Sequence, residues 1–140
     1  MDKLLTSASI YIGQSEIPHA GRGVYATRAI RKGGIIERCP VILIPKNDLS
    51  HVDTSFLVTY FFYFGKKKEQ VVIALGFGSI YNHSYQPNAH YKIKLREKIL
   101  EFVALQDIKK DTEITINYKQ GNTKRPHPLW FEAGIFTNKI

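Results

Sequence analysis

A chain of 140 residues with 44% apolar, 23% charged and 12% aromatic side chains has the composition of one globular domain, which excludes collagenous, low-complexity and wholly disordered chains. Its 20 basic and 12 acidic side chains leave a net charge of +8, favouring contact with polyanions such as nucleic acid or a nucleoprotein. The longest strongly apolar run, residues 56–64, is less than half of a membrane-spanning helix, and the N-terminus makes a poor signal peptide. The single Cys39 permits no intrachain disulfide and no cysteine-built zinc site, so a reduced intracellular compartment is the expectation.

In chain order, the predicted elements are mostly short strands separated by turns. Residues 35–44, IIERCPVILI, are β-branched and apolar, and Pro40 within them marks an edge, a bend or a bulge. Residues 54–64, TSFLVTYFFYF, are the one helical candidate, with Asp53, Thr54 or Ser55 as the N-cap; the aromatic content would suit a strand as well. VVIAL at 71–75 reads as a short buried strand ahead of the glycine-rich GFG. HYKIKLRE at 90–97 alternates, pointing Tyr91, Ile93 and Leu95 one way and His90, Lys92, Lys94 and Arg96 the other. ILEFVAL pairs back on it as a hairpin across Glu97 and Lys98. TEITINY at 112–118 is a further alternating strand, introduced by the polar turn at 109–111.

Few of the common catalytic patterns are present. The five histidines lack metal-pair spacing, and no nucleophile elbow or phosphate loop occurs. The GRG at 21–23 neither follows a convincing strand nor opens a helix, which fits a tight turn better than a dinucleotide site. Residues 74–91, ALGFGSIYNHSYQPNAHY, stand apart, because Asn82, His83 and Ser84 follow apolar Ile80 and Tyr81 directly and precede a proline turn. Such a junction can aim an amide into a pocket. It can equally satisfy a turn through side-chain to backbone bonds.

NHSYQPNA resembles the central signature of SET-domain lysine methyltransferases, Asn-His-Ser, two variable residues, then Pro-Asn. Three further blocks stand in that family's order: GRGVYATRAIRKGGII, FVALQDIKKDTEITINY and the aromatic PLWF. Together they cover roughly residues 11–133, and ALGFGSIYNHS is similar to the minimal SET proteins of chlorella viruses and bacteria. The implied architecture is mainly β, a single SET domain of the β-clip type over residues 1–140, with small curved sheets, short helices and a knot-like threading at the active site. With no cysteine cluster before or after these blocks, the cysteine-rich flanking zinc modules of larger relatives are not expected. Asp111 stands where the family usually has glycine, a change aspartate tolerates.

The resemblance implies S-adenosylmethionine as cofactor, no metal, and a lysine in a basic protein tail, histone or histone-like, as acceptor. A ribosomal or nucleoid protein is the alternative substrate, and a silent basic module binding nucleic acid the alternative function. Tyr118 matches the catalytic tyrosine; for a strand-end tyrosine, plain packing with a wet hydroxyl is the other role. Asn82 and His83 match the cofactor-binding pair, while Gly21 and Gly23, with Arg22 between them, would let the main chain approach the methionine moiety. Trp130 or Phe131 would stack on adenine, with a core anchor as the competing role for Trp130. Tyr60, Tyr91 and Ile116 match positions around the substrate channel, although most of the aromatic segment is expected in the core. No membrane contact is expected, homodimerisation is left open, and the location is the cytoplasm, or a host nucleus for a viral or effector protein.

Overall fold

The structure is a computed structural model that describes residues 3–64 and 70–119. Among these, nine strands form two sheets. β1 (Ile10–Gln14) and β2 (Arg22–Ala26) make an antiparallel hairpin, registered from Ile10 opposite Ala26 to Gln14 opposite Arg22. β3 (Ile35–Ile44) is followed by a short helical stretch containing α1 (Leu49–Asp53), then by β4 (Phe61–Phe64) and β5 (Gln70–Ala74). β6 (Asn82–His83), β7 (Ala89–Lys94), β8 (Ile99–Ala104) and β9 (Glu113–Ile116) complete the set. One sheet has the order β4-β5-β3-β8-β7 and the other β1-β2-β9-β6. No helix among the described residues is long and apolar enough to cross a membrane.

β3 shows how one strand serves two partners. Residues 35–40 pair with β8, and residues 41–44 pair with β5. Pro40, which has no N–H for a ladder, sits at the hand-over, and its carbonyl accepts from the Leu75 N–H at 2.9 Å. The proline therefore marks a change of partner inside a central strand. The bulge lies earlier: Ile35 pairs with Val103 and Glu37 with Phe102, leaving Ile36 as the extra residue. A bulge re-aims side chains, and here Ile36 and Glu37 both turn inward, at 1% and 8% exposure.

The helix expected over residues 54–64 is corrected. Only Phe56–Thr59 forms a 3-10 turn, started by the Ser55 side chain accepting from the Leu57 N–H. The chain then straightens into β4, which pairs with β5 from Phe61 opposite Ile73 to Phe64 opposite Gln70. Consecutive aromatics fit a half-buried pleated surface better than a helix once a partner strand is available. The β7–β8 hairpin closes over four residues, 95–98, rather than two, with Lys98 in the left-handed region at φ 57°. Leu95 thereby leaves the inward row and is half exposed, while Tyr91 and Ile93 keep it.

The two sheets enclose one apolar core that includes Val24, Leu100, Phe102, Ile114 and Ile116. Each such side chain contributes about 1.5–3 kcal/mol when fully buried. Tyr81 stacks on Phe102 at the centre, with centroids 4.3 Å apart and planes 21° from parallel. β9, late in the sequence, lies between β2 on one side (antiparallel) and β6 on the other (parallel). That insertion brings the end of β9, and Tyr118 two residues beyond it, beside β6.

Asp111, in the turn that leads into β9, adopts φ 62°. This left-handed geometry explains why glycine is common at such a position, and aspartate is among the few other residues that tolerate it. Its Oδ1 also accepts from the Tyr11 hydroxyl at 2.9 Å. Asp111→Ala should therefore lower stability by about 1 kcal/mol. Asp111→Gly, which relieves the backbone while losing an exposed bond, should stay within about 0.5 kcal/mol of the parent. Urea unfolding of both variants checks this, and equal losses would assign the effect to the side-chain bond.

Candidate active site

Three segments far apart in sequence meet at the amide of Asn82. Its side chain is buried, and Nδ2 donates to the Arg22 carbonyl at 2.8 Å and to Glu113 Oε1 at 2.9 Å. Both of those neighbours are pure acceptors, so the amide orientation is dictated and Oδ1 is the atom left to accept from a ligand. Glu113 in turn accepts from the Ser15 hydroxyl, at 2.8 and 3.0 Å to its two oxygens. The bare Cα of Gly23 faces this carboxylate: a Cβ there would overlap Glu113 and lie 3.1 Å from Asn82 Nδ2. A side chain at position 23 would therefore have to displace the carboxylate that Asn82 and Ser15 hold. Gly21, at φ 72°, is required by the backbone turn itself.

Tyr118 follows β9, and its hydroxyl donates to the Tyr81 carbonyl at 2.6 Å. Its backbone N–H donates to His83 Nδ1 at 3.0 Å, which puts the proton of a neutral imidazole on Nε2. The His83 ring is wedged between Tyr85, edge-on at 4.4 Å, and Tyr118 at 5.2 Å. Burial pushes the Tyr118 phenol well above its ordinary range, with Tyr60 and Glu113 adding to the shift. At neutral pH the group is therefore a protonated phenol. Because its proton is directed to the Tyr81 carbonyl, its lone pairs are what it can offer to a reacting group.

Tyr60 stands close enough to act electrostatically on Tyr118, and the Arg22 charge acts on Tyr60 in the same way. Burial raises the Tyr60 phenol and Arg22 pulls it back down. Tyr60, Arg22, Gly21, Gly23, Asn82, His83 and Tyr118 are accordingly brought to one place. Tyr91 lies with the aromatic group behind it, edge-on to Phe62 at 5.1 Å and 6.0 Å from Phe102. Ile116 is fully buried and faces His83 in the parallel β6–β9 register. Trp130 and Phe131 lie outside the described residues.

Four residues of the site were not singled out from the sequence. Asn88 clamps β9 with both ends of its amide, donating to the Glu113 carbonyl and accepting from the Thr115 N–H, each at 2.9 Å. Its signal was the Pro-Asn of the central signature, read only as a match. Glu113 and Glu37 were legible as acidic residues inside otherwise apolar or β-branched strands, where a charge needs a partner. Tyr81 read as a plain apolar neighbour of Asn82, yet its carbonyl holds the Tyr118 hydroxyl.

A family model described as the SET domain matches residues 21–119. A Schizosaccharomyces pombe histone-lysine N-methyltransferase, H3 lysine-37 specific, is 32% identical over 113 residues, covering 80% of this chain and 71% of that protein. The crystal structure of a Plasmodium falciparum protein assigned as a histone methyltransferase is 33% identical, with a TM-score of 0.61 over 82% of this chain and 95% of the other. The polycomb repressive complex 2 of Chaetomium thermophilum, autoinhibited and bound to S-adenosylmethionine, superposes with a TM-score of 0.68 over 81% of this chain and 15% of its own. At 20% identity that last likeness bears on the fold alone. With its signature blocks joined at Asn82 and a SET-domain family model matched over residues 21–119, the chain belongs to the SET-domain family of protein-lysine methyltransferases.

Proposed function

We propose that this chain methylates a lysine in the tail of histone H3 or a histone-like protein, with S-adenosylmethionine as the methyl donor and Tyr118 as the catalytic residue. The observation that carries this reading is the Tyr118 hydroxyl donated at 2.6 Å to the carbonyl immediately before Asn82. It joins the tyrosine to the segment that would hold the cofactor. The histone part of the reading is supported by the S. pombe relative, whose name specifies histone H3.

The residues fit the cofactor. Asn82 Oδ1, with both of its amide protons committed elsewhere, is an acceptor suited to the ammonium of an amino-acid moiety. The turn at Gly21 presents main chain beside it, and the backbone at His83 would take the adenine. Stacking by Trp130 or Phe131 rests on the family resemblance. When bound, S-adenosylmethionine supplies a methyl group activated by its sulfonium.

The chain's own contribution is placement and dryness. A free lysine amine has a pKa near ~10.4 and is protonated at neutral pH. A channel walled by Tyr60 and its aromatic neighbours disfavours the charged form, so desolvation moves the amine toward its nucleophilic state. The lone pairs of Tyr118 then accept from the amine and fix its approach, and most of the rate gain comes from that alignment. Tyr118 itself keeps its proton, since its phenol is raised.

Radiolabelled S-adenosylmethionine with core histones, ribosomal proteins and nucleoid proteins as acceptors tests the whole reading. Label on a lysine of histone H3 is expected. Label confined to the ribosomal or nucleoid proteins would move the substrate and keep the chemistry, and no label on any acceptor would favour a silent binding module.

Tyr118→Phe should lower kcat by at least about a hundredfold while leaving the calorimetric affinity for S-adenosylhomocysteine within about twofold, because the hydroxyl acts on the transition state rather than on the bound ground state. A large affinity loss would contradict that role. Asn82→Ala should behave differently. Losing a bond to a charged group costs about 1.5–3 kcal/mol, so the S-adenosylhomocysteine Kd should rise about ten- to a hundredfold. Its melting temperature should fall too, because the Arg22 carbonyl and Glu113 lose their common donor. A lower melting temperature with an unchanged Kd would make Asn82 purely structural.

A further inference from the structure

Tyr81 is held at three points. Its ring stacks on Phe102, its phenol donates to Glu37 Oε1 at 2.9 Å, and its carbonyl accepts the Tyr118 hydroxyl at 2.6 Å. The second oxygen of Glu37 accepts from the Phe77 N–H at 2.9 Å, so the carboxylate spends both oxygens on the segment that ends at Tyr81. Glu37 is buried, and it reaches this place because the β3 bulge turns it inward opposite Phe102. The basic residue beside it, Arg38, pairs outward with Glu101 at 3.0 Å.

Stability alone does not account for this arrangement. A carboxylate buried against neutral donors carries a large desolvation cost, and apolar side chains of the same volume would fill the space without it. What the carboxylate adds is direction. A phenol anchored at its tip cannot let the ring slide along Phe102, so the carbonyl at the other end of the residue keeps its aim. That carbonyl decides where the Tyr118 proton points and hence where its lone pairs point.

We propose that Glu37 is a positioning residue for Tyr118, acting through the phenol and then the carbonyl of Tyr81. The proposal rests on the reading of Tyr118 as catalytic. The path runs from β3 to the end of β9 through two hydrogen bonds and one residue, joining parts of the chain separated by 44 and 37 positions.

The test uses the full chain as Glu37→Gln, Tyr81→Phe, Tyr118→Phe and the double variant Tyr81→Phe/Tyr118→Phe. Labelled S-adenosylmethionine and histone H3 report turnover; S-adenosylhomocysteine calorimetry and thermal melting are run beside it. Tyr81→Phe removes one oxygen, and the amide of Glu37→Gln has one acceptor atom for two donors. Both should lower kcat about ten- to a hundredfold, as small misplacements of a reacting group do, with KM and the S-adenosylhomocysteine Kd within about twofold. In the Tyr118→Phe background, Tyr81→Phe should cost less than about threefold more, since the group it positions is gone. Wild-type kcat in Tyr81→Phe, with or without a lower melting temperature, overturns the proposal. So does an undiminished cost in the Tyr118→Phe background. Wild-type turnover in Tyr118→Phe alone would sink the reading of Tyr118 itself, so the two failures are told apart. If Glu37→Gln does not fold, the Tyr81→Phe arms decide.

Discussion

The amide of Asn82 is the joint on which the site depends. One buried NH2 group binds the carbonyl of Arg22 in the first signature block and the carboxylate of Glu113 in the last, while itself belonging to the middle one. Such a group is expensive to bury unless every proton finds a partner, and here both do. The consequence is geometric. β2, β6 and β9 cannot shift relative to one another without leaving a buried donor or acceptor unmade, so the turn at Gly21 and the hydroxyl of Tyr118 hold a constant relation.

Around that joint the smaller sheet is stitched by side chains as much as by backbone. β6 is only two residues long, and its parallel pairing with β9 would be weak by itself. Asn88 extends it by taking the Glu113 carbonyl and the Thr115 N–H, as an adjoining strand would. Ser84 adds its N–H to the Ile116 carbonyl at 2.9 Å. Ser15 and Gly23 close on Glu113 from the hairpin side. A short strand that side chains reinforce can bend sharply on either side, and a bend there is what leaves Tyr81, His83 and Tyr118 facing one another.

The electrostatics follow from the same enclosure. Tyr81 and Tyr118 are both pushed well above the ordinary phenol range, in each case first by burial. Neither can serve as an ionised base at neutral pH, so their value lies in the direction of their O–H bonds. Cys39, also buried and beside Glu37, is raised for the same reason and is held as an inert thiol. What these two phenols offer is therefore orientation rather than stored charge.

The sequence by itself determined the strand-rich character, the family and most of the residues that converge. Period-two alternation in 90–95, the β-branched run 35–44 and the Asn-His-Ser block are local signals, and local signals survive in a string of letters. Asp111 could be recognised in a position that glycine usually holds, and the left-handed φ confirms it. Several features were decided only in three dimensions. The aromatic run 54–64 became a turn and a strand because β5 was there to pair with it. Pro40 marked an exchange of partners, and the bulge fell at Ile36, because β3 must meet β8 and β5 in succession. Glu37, Asn88 and Glu113 took their roles from partners that no window of sequence contains: their hydrogen bonds reach across 40 and 44 positions for Glu37, 27 for Asn88, and 31 and 98 for Glu113. A hydrogen bond is chosen by distance and angle in space, and those are set only when both sheets have closed on the core.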